Sequence, residues 1–199
     1  MTGTRALGSR EVLLTTGVWL LVAYLAGAAG LLHGARPPMP QVLLFGLTAV
    51  ILILFWTVAV FRQWILALDV RALVLIHVTR IVAGVAFLIR YRRGELPYDF
   101  AVPGGWGDIA VGLAAIAVCA FARPDPGAGR VWFLLWNAAG LVDILFVVAT
   151  ASRLALADPS SMDALLRLPL SLLPTFLVPI IIATHVMIFA RLRGAAATR

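Results

Sequence analysis

Five ionisable side chains interrupt otherwise apolar runs of this 199-residue chain: His77, Arg80, Asp108, Asp143 and His185. Asn137 stands in another such run, and Thr57 and Tyr24 are weaker polar candidates. Charged groups cost free energy in hydrocarbon surroundings, so these positions point to ion pairs, proton relays or ligand contacts. His77 and Arg80 are three residues apart and share one face if their run is helical. A lone arginine there is costly, so Arg80 calls for a carboxylate. Asp143 is the expected partner, with Asp108 as the other candidate. Such a pair either fixes helix packing or lines a polar cavity.

The surroundings are indeed oily. The chain is 62% hydrophobic and 13% charged, against about 45–50% and about 25% in a soluble domain. A core of this size cannot hide that excess, so lipid must solvate much of the surface. Six apolar segments cover residues 12–32, 42–61, 72–89, 105–121, 131–151 and 170–192. Each approaches the ~20 residues that cross ~30 Å of hydrocarbon as a helix. None alternates with the period of two that a barrel strand needs. The reading is an all-α polytopic membrane protein, a single domain of six transmembrane helices. The first segment follows Arg5 and Arg10 but is long enough to span, which favours a retained helix over a cleaved signal.

All sixteen basic residues are arginine. Without lysine there is no retinal or pyridoxal Schiff base and no phosphate-loop lysine. The net charge of +7 would suggest nucleic acid in a soluble protein. Here the arginines mostly end apolar runs, so contact with lipid headgroups explains them better. The single cysteine, Cys119, excludes an intramolecular disulfide and a cysteine metal cluster. With the N-terminus cytoplasmic, Arg5, Arg10, Arg62, Arg71, Arg123, Arg130, Arg191, Arg193 and Arg199 face inward. Arg36, Arg90, Arg92, Arg93, Arg153 and Arg167 face outward. Nine against six favours both termini inside.

A rise of ~1.5 Å per residue places His77 about 8 Å and Arg80 about 12 Å from the inner face. Asn137 and His185 come at about 9 Å, Asp143 at about 18 Å, and Asp108 about 5 Å below the outer face. Three function classes follow. The first is binding or passage of a small solute, proton or lipid-like molecule through a cluster of Arg80, Asp143, Asn137 and His185, without covalent catalysis. The second is redox: His77 and His185 at similar depth could ligate one b-type haem, with Arg80 facing a propionate. The third rests on Gly105-Trp106-Gly107-Asp108, which resembles the Gly-x-Gly-Asp motif of intramembrane aspartyl proteases of the presenilin and prepilin-peptidase kind. Asp143 would be the second carboxylate. The order of the two acids is reversed here, and the Pro-Ala-Leu element of presenilins is missing. Among partners, the bilayer is expected, a small-molecule or ion ligand and an oligomer or larger membrane complex stay open, and nucleic acid is not expected. Pro174 and Pro179 should loosen the last helix.

Four stretches carry a further resemblance: 80–88; Phe100-Ala101-Val102-Pro103-Gly104-Gly105-Trp106-Gly107-Asp108; Trp136-Asn137-Ala138-Ala139-Gly140-Leu141-Val142-Asp143; and Leu173-Pro174-Thr175-Phe176-Leu177-Val178-Pro179 running to His185. They resemble a group of small multi-pass bacterial membrane proteins without an assigned activity. The resemblance implies a bacterial inner-membrane location and a six-helix fold. It marks Arg80, Asp108, Asn137, Asp143 and His185 as the shared polar set, and leaves His77 outside it.

Overall fold

The computed structural model describes residues 8–124 and 127–197. Arg5 and Arg199, used above, lie outside the described residues. The described residues form eight α-helices and no strand. They are α1 (Ser9–Ala28), α2 (Met39–Thr57), α3 (Ala59–Ala67), α4 (Val70–Leu75), α5 (Thr79–Arg92), α6 (Tyr98–Phe121), α7 (Ala128–Ala157) and α8 (Val178–Ala197). A 3-10 turn, Ile76–Val78, joins α4 to α5 as one span. A π turn, Leu173–Leu177, extends α8 at its start. Seven of the eight helices thus make six spans of membrane length and hydropathy, and α3 lies outside them.

The outer surface is what lipid requires. Phe121 is 91% exposed, and Val82, Val142 and Leu13 are each about 70% exposed. The interior is layered. At one end Phe55, Val74, Phe133, Met187 and Ile188 form an apolar cluster. Towards the other end lie a cluster around Phe87, Phe100 and Val147 and another around Leu44, Ile144 and Ile181. The polar residues sit between these layers.

The last span is the hub, the most buried of the six, and the first is the least buried. The first span leans on the π turn, where the Trp19 indole donates to the Thr175 carbonyl at 3.0 Å. Pro179, four residues on, has no N–H to give that carbonyl, so a side chain from another helix takes its place. The Trp19 ring also meets Phe176 edge-on at 5.0 Å.

Two boundaries differ from the sequence expectation in ways that matter. Residues 98–104 are helix, not loop, so α6 starts seven residues before 105. Pro103, Gly104 and Gly105 read as turn chemistry, but the proline faces outward and the two glycines are buried in helix contacts. At the other end α7 runs to Ala157, six residues past 151. At about 45 Å it outruns the hydrocarbon and reaches the headgroup layer. Its neighbour is a 3-10 helix, Pro159–Leu166. Asp158 caps it: the Ser160 hydroxyl and N–H donate to its carboxylate and hold it below the usual carboxylate range.

The pair α5–α6 is the closest in the bundle. Gly94 (φ 71°) turns the chain between them, beside an Arg90–Glu95 ion pair. A β-carbon on Gly84 would collide with the Gly105 carbonyl and stand 3.1 Å from Asp108 Cβ. Small residues let backbones meet in this way in membranes. Gly84→Ala should therefore lower the thermal midpoint of the detergent-solubilised protein. Gly46→Ala, on α2 with nothing within 4 Å of the added carbon, should leave it unchanged or raise it. Equal effects in a melting assay would contradict this packing.

Candidate functional site

The face of α6 that meets α5 reads Ala101, Gly105, Asp108, Gly112 and Ala115, all buried. The spacing alternates four and three, so these residues form one stripe. Gly112 sits over Ile81 and the His77 carbonyl, and Gly105 over Leu88. The small residues on either side of Asp108 bring its carboxylate against Arg80. Arg80 Nε donates to Asp108 Oδ1 at 2.6 Å, and the two side chains are 2% and 3% exposed.

The same guanidinium reaches a third helix. Nη1 donates to the Gly140 carbonyl at 2.9 Å, and Nη2 donates to Asp143 Oδ2. The expected Arg80–Asp143 pair is therefore present, and Asp108, the alternative, is a partner too. Asp108 does not guard a mouth, as its expected depth implied. It lies ten residues into α6, about 15 Å from the helix start, at the centre of the cluster. Nor does it sit at a positive helix N-terminus. Asp143 differs from Asp108 in exposure, with 21% of its side chain open. Its other oxygen lies against Gly107, where any side chain would collide with it.

Beside this triad lies a second polar group. The Asn137 amide clasps His185 twice: Nδ2 donates to the His185 carbonyl at 2.9 Å, and Oδ1 faces Nδ1 at 2.8 Å. The first contact orients the amide, so Oδ1 accepts and the His185 proton rests on Nδ1. Nε2 is then a bare acceptor, and it has no partner among the described residues. The ring packs over Gly140, whose carbonyl holds Arg80. Thr184 donates to the Ile180 carbonyl at 2.8 Å and lies 3.2 Å from His77 Nε2. His77 Nδ1 has no partner among the described residues either. The imidazoles touch, with centroids 4.2 Å apart, and the Trp136 ring lies against both.

All six expected site residues thus meet in one cluster on α5, α6, α7, α8 and the 3-10 turn. Thr57 and Tyr24 stay outside it: Thr57 bonds its own helix at Ile53, and Tyr24 is half exposed. Thr184, Trp136 and the Gly140 carbonyl were not anticipated. Thr184 follows a visible rule, since it adjoins His185 in a span where hydroxyls seek partners.

The two other chemistries fit this arrangement poorly. A haem held by two histidines lies between their rings, whereas His77 and His185 contact each other. An aspartyl protease pair shares a proton across a water, whereas the Arg80 guanidinium fills the space between Asp108 and Asp143. Among the described residues, no three His, Cys, Asp or Glu groups converge as a metal set.

Removing the cation should be worse than removing either anion. Arg80→Met leaves two carboxylates facing each other and should cost on the order of 3–5 kcal/mol. Asp143→Asn should cost less than Asp108→Asn, because Asp143 is the more exposed. Replacing all three by apolar residues should recover part of the loss. Thermal unfolding followed by size-exclusion in detergent reads these differences.

No curated protein and no solved structure matches the chain. A family model described as Domain of unknown function (DUF8737) matches residues 37–193. That stretch omits α1, the span that leans on the bundle from outside, and includes every residue of the polar cluster; the chain belongs to this family.

Proposed function

We propose that this membrane protein binds and exchanges a small cation, in the first instance a proton, at the Arg80–Asp108–Asp143 triad. The observation that carries this is one guanidinium shared by two carboxylates, of which only Asp143 reaches the bundle surface. Two acids against one base leave a charge that hydrocarbon penalises, and uptake of one cation neutralises it. Asp143 is the group through which that cation enters and leaves. The unpartnered His185 Nε2 is a further acceptor beside the triad, and His77 Nδ1 is unpartnered too among the described residues. The tight packing favours a proton over a hydrated solute: His77, Arg80, Asn137 and His185 are at most 1% exposed and Asp108 2%.

The same proposal includes a bacterial inner membrane, in line with the resemblance noted above, with both termini cytoplasmic. Among the described residues, Arg10, Arg62, Arg71, Arg123, Arg130, Arg191 and Arg193 lie at the end of the spans assigned inward. Arg71 donates to the Ala122 carbonyl and Arg191 to the Leu68 carbonyl, at helix ends where cations are favoured. On the opposite side, Arg90 is neutralised by Glu95, and Arg153 lies 4.0 Å from Asp99.

An apolar carbodiimide tests the proton reading, because it modifies protonated carboxyls exposed to lipid. In membranes it should label Asp143 and spare Asp108, with a rate that falls as pH rises. The label should vanish in Asp143→Asn. No label at Asp143, or labelling independent of pH, would contradict the proposal.

A further inference from the structure

A second feature lies away from the triad, towards the outer ends of the spans. An apolar cavity of about 100 Å³ opens between the start of α2, the second half of α7, the 3-10 helix and the π turn. Leu44, Val148 and Leu173 are among its walls, and none of Arg80, Asp108 and Asp143 is. Apolar walls give water no partners. The volume is below the ~300 Å³ at which pockets for compact organic ligands begin. A short stretch of hydrocarbon chain suits both facts.

Three arginines adjoin the walls in sequence. Arg36 stands between two lining residues, Ala35 and Pro37. Arg153 follows lining Ser152, and Arg167 follows lining Leu166. All three arginines are exposed. They fall at span ends, in the layer where phosphate groups lie. Asp99 engages Arg153 weakly, at 4.0 Å with both side chains 65% exposed. On the wall itself, Gln41 Oε1 is shielded from solvent and has no hydrogen-bond partner among the described residues. We propose that this cavity holds a short stretch of one acyl chain of an anionic phospholipid, with its phosphate among Arg36, Arg153 and Arg167 and its glycerol region near Gln41.

The test uses the full chain in vesicles of phosphatidylglycerol and phosphatidylcholine, with a trace of either lipid carrying a photoreactive diazirine on its acyl chain. Cross-links mapped by mass spectrometry should concentrate on Leu44, Val148 and Leu173, well above the exposed face of α1. Ala151→Trp, or the milder Val148→Phe, should cut cavity labelling at least tenfold and leave α1 labelling unchanged. The α1 signal also reports that the variant is folded. Arg36→Gln, Arg153→Gln and Arg167→Gln together should abolish the preference for phosphatidylglycerol over phosphatidylcholine. Cavity labelling no denser than that of α1, or unchanged in both filled variants, would overturn the chain site. A preference that survives the triple substitution would overturn the headgroup assignment.

Discussion

The bundle is organised around the need to satisfy one buried guanidinium. Arg80 is fully enclosed, and hydrocarbon supplies no acceptor for its donors. Its partners come from two further helices: a carboxylate on α6, and a carboxylate with a backbone carbonyl on α7. A geometry in which any of these helices moves by a few ångströms leaves a charge uncovered. Breaking a buried pair in this way costs more than the pair contributes as net stability. The triad is therefore better understood as fixing register and orientation than as glue. Apolar layers on either side supply the packing.

That demand explains the glycines. Because α5 and α6 lie so close, Arg80 meets the short Asp108 side chain with Nε and has both terminal nitrogens left for α7. Gly84 and Gly105 provide the contact, and Gly107 leaves room for Asp143 on the far side. Gly140 serves twice, since its carbonyl holds Arg80 and its missing side chain admits the His185 ring. The histidine pair thus packs against the same point that anchors the arginine. A change of charge at Asp143 would be felt at Arg80 and, through Gly140, at His185.

Much of this was legible in the sequence. Six spans follow from hydropathy, because nothing but lipid can solvate so much apolar surface. The Arg80–Asp143 pair follows from the same cost argument. The depth of Asp108 did not, because Pro103-Gly104-Gly105 carries the composition of a turn. Inside a membrane the same residues serve an outward-facing proline and a close helix contact. The Gly140 carbonyl was invisible for another reason, since every residue has one and only packing selects which is used. The shared depth of His77 and His185 was seen correctly, but depth says nothing of azimuth. Azimuth put the rings in contact instead of on two sides of a cofactor.

The central claim is that one guanidinium binds both carboxylates in the membrane. Solid-state nuclear magnetic resonance on labelled protein in lipid bilayers addresses it directly, through nitrogen–carbon contacts between the Arg80 side chain and the carboxyl carbons of Asp108 and Asp143. The account predicts both contacts, with guanidinium protons shielded from exchange with water. An Arg80 that shows neither contact and exchanges freely with water would contradict it.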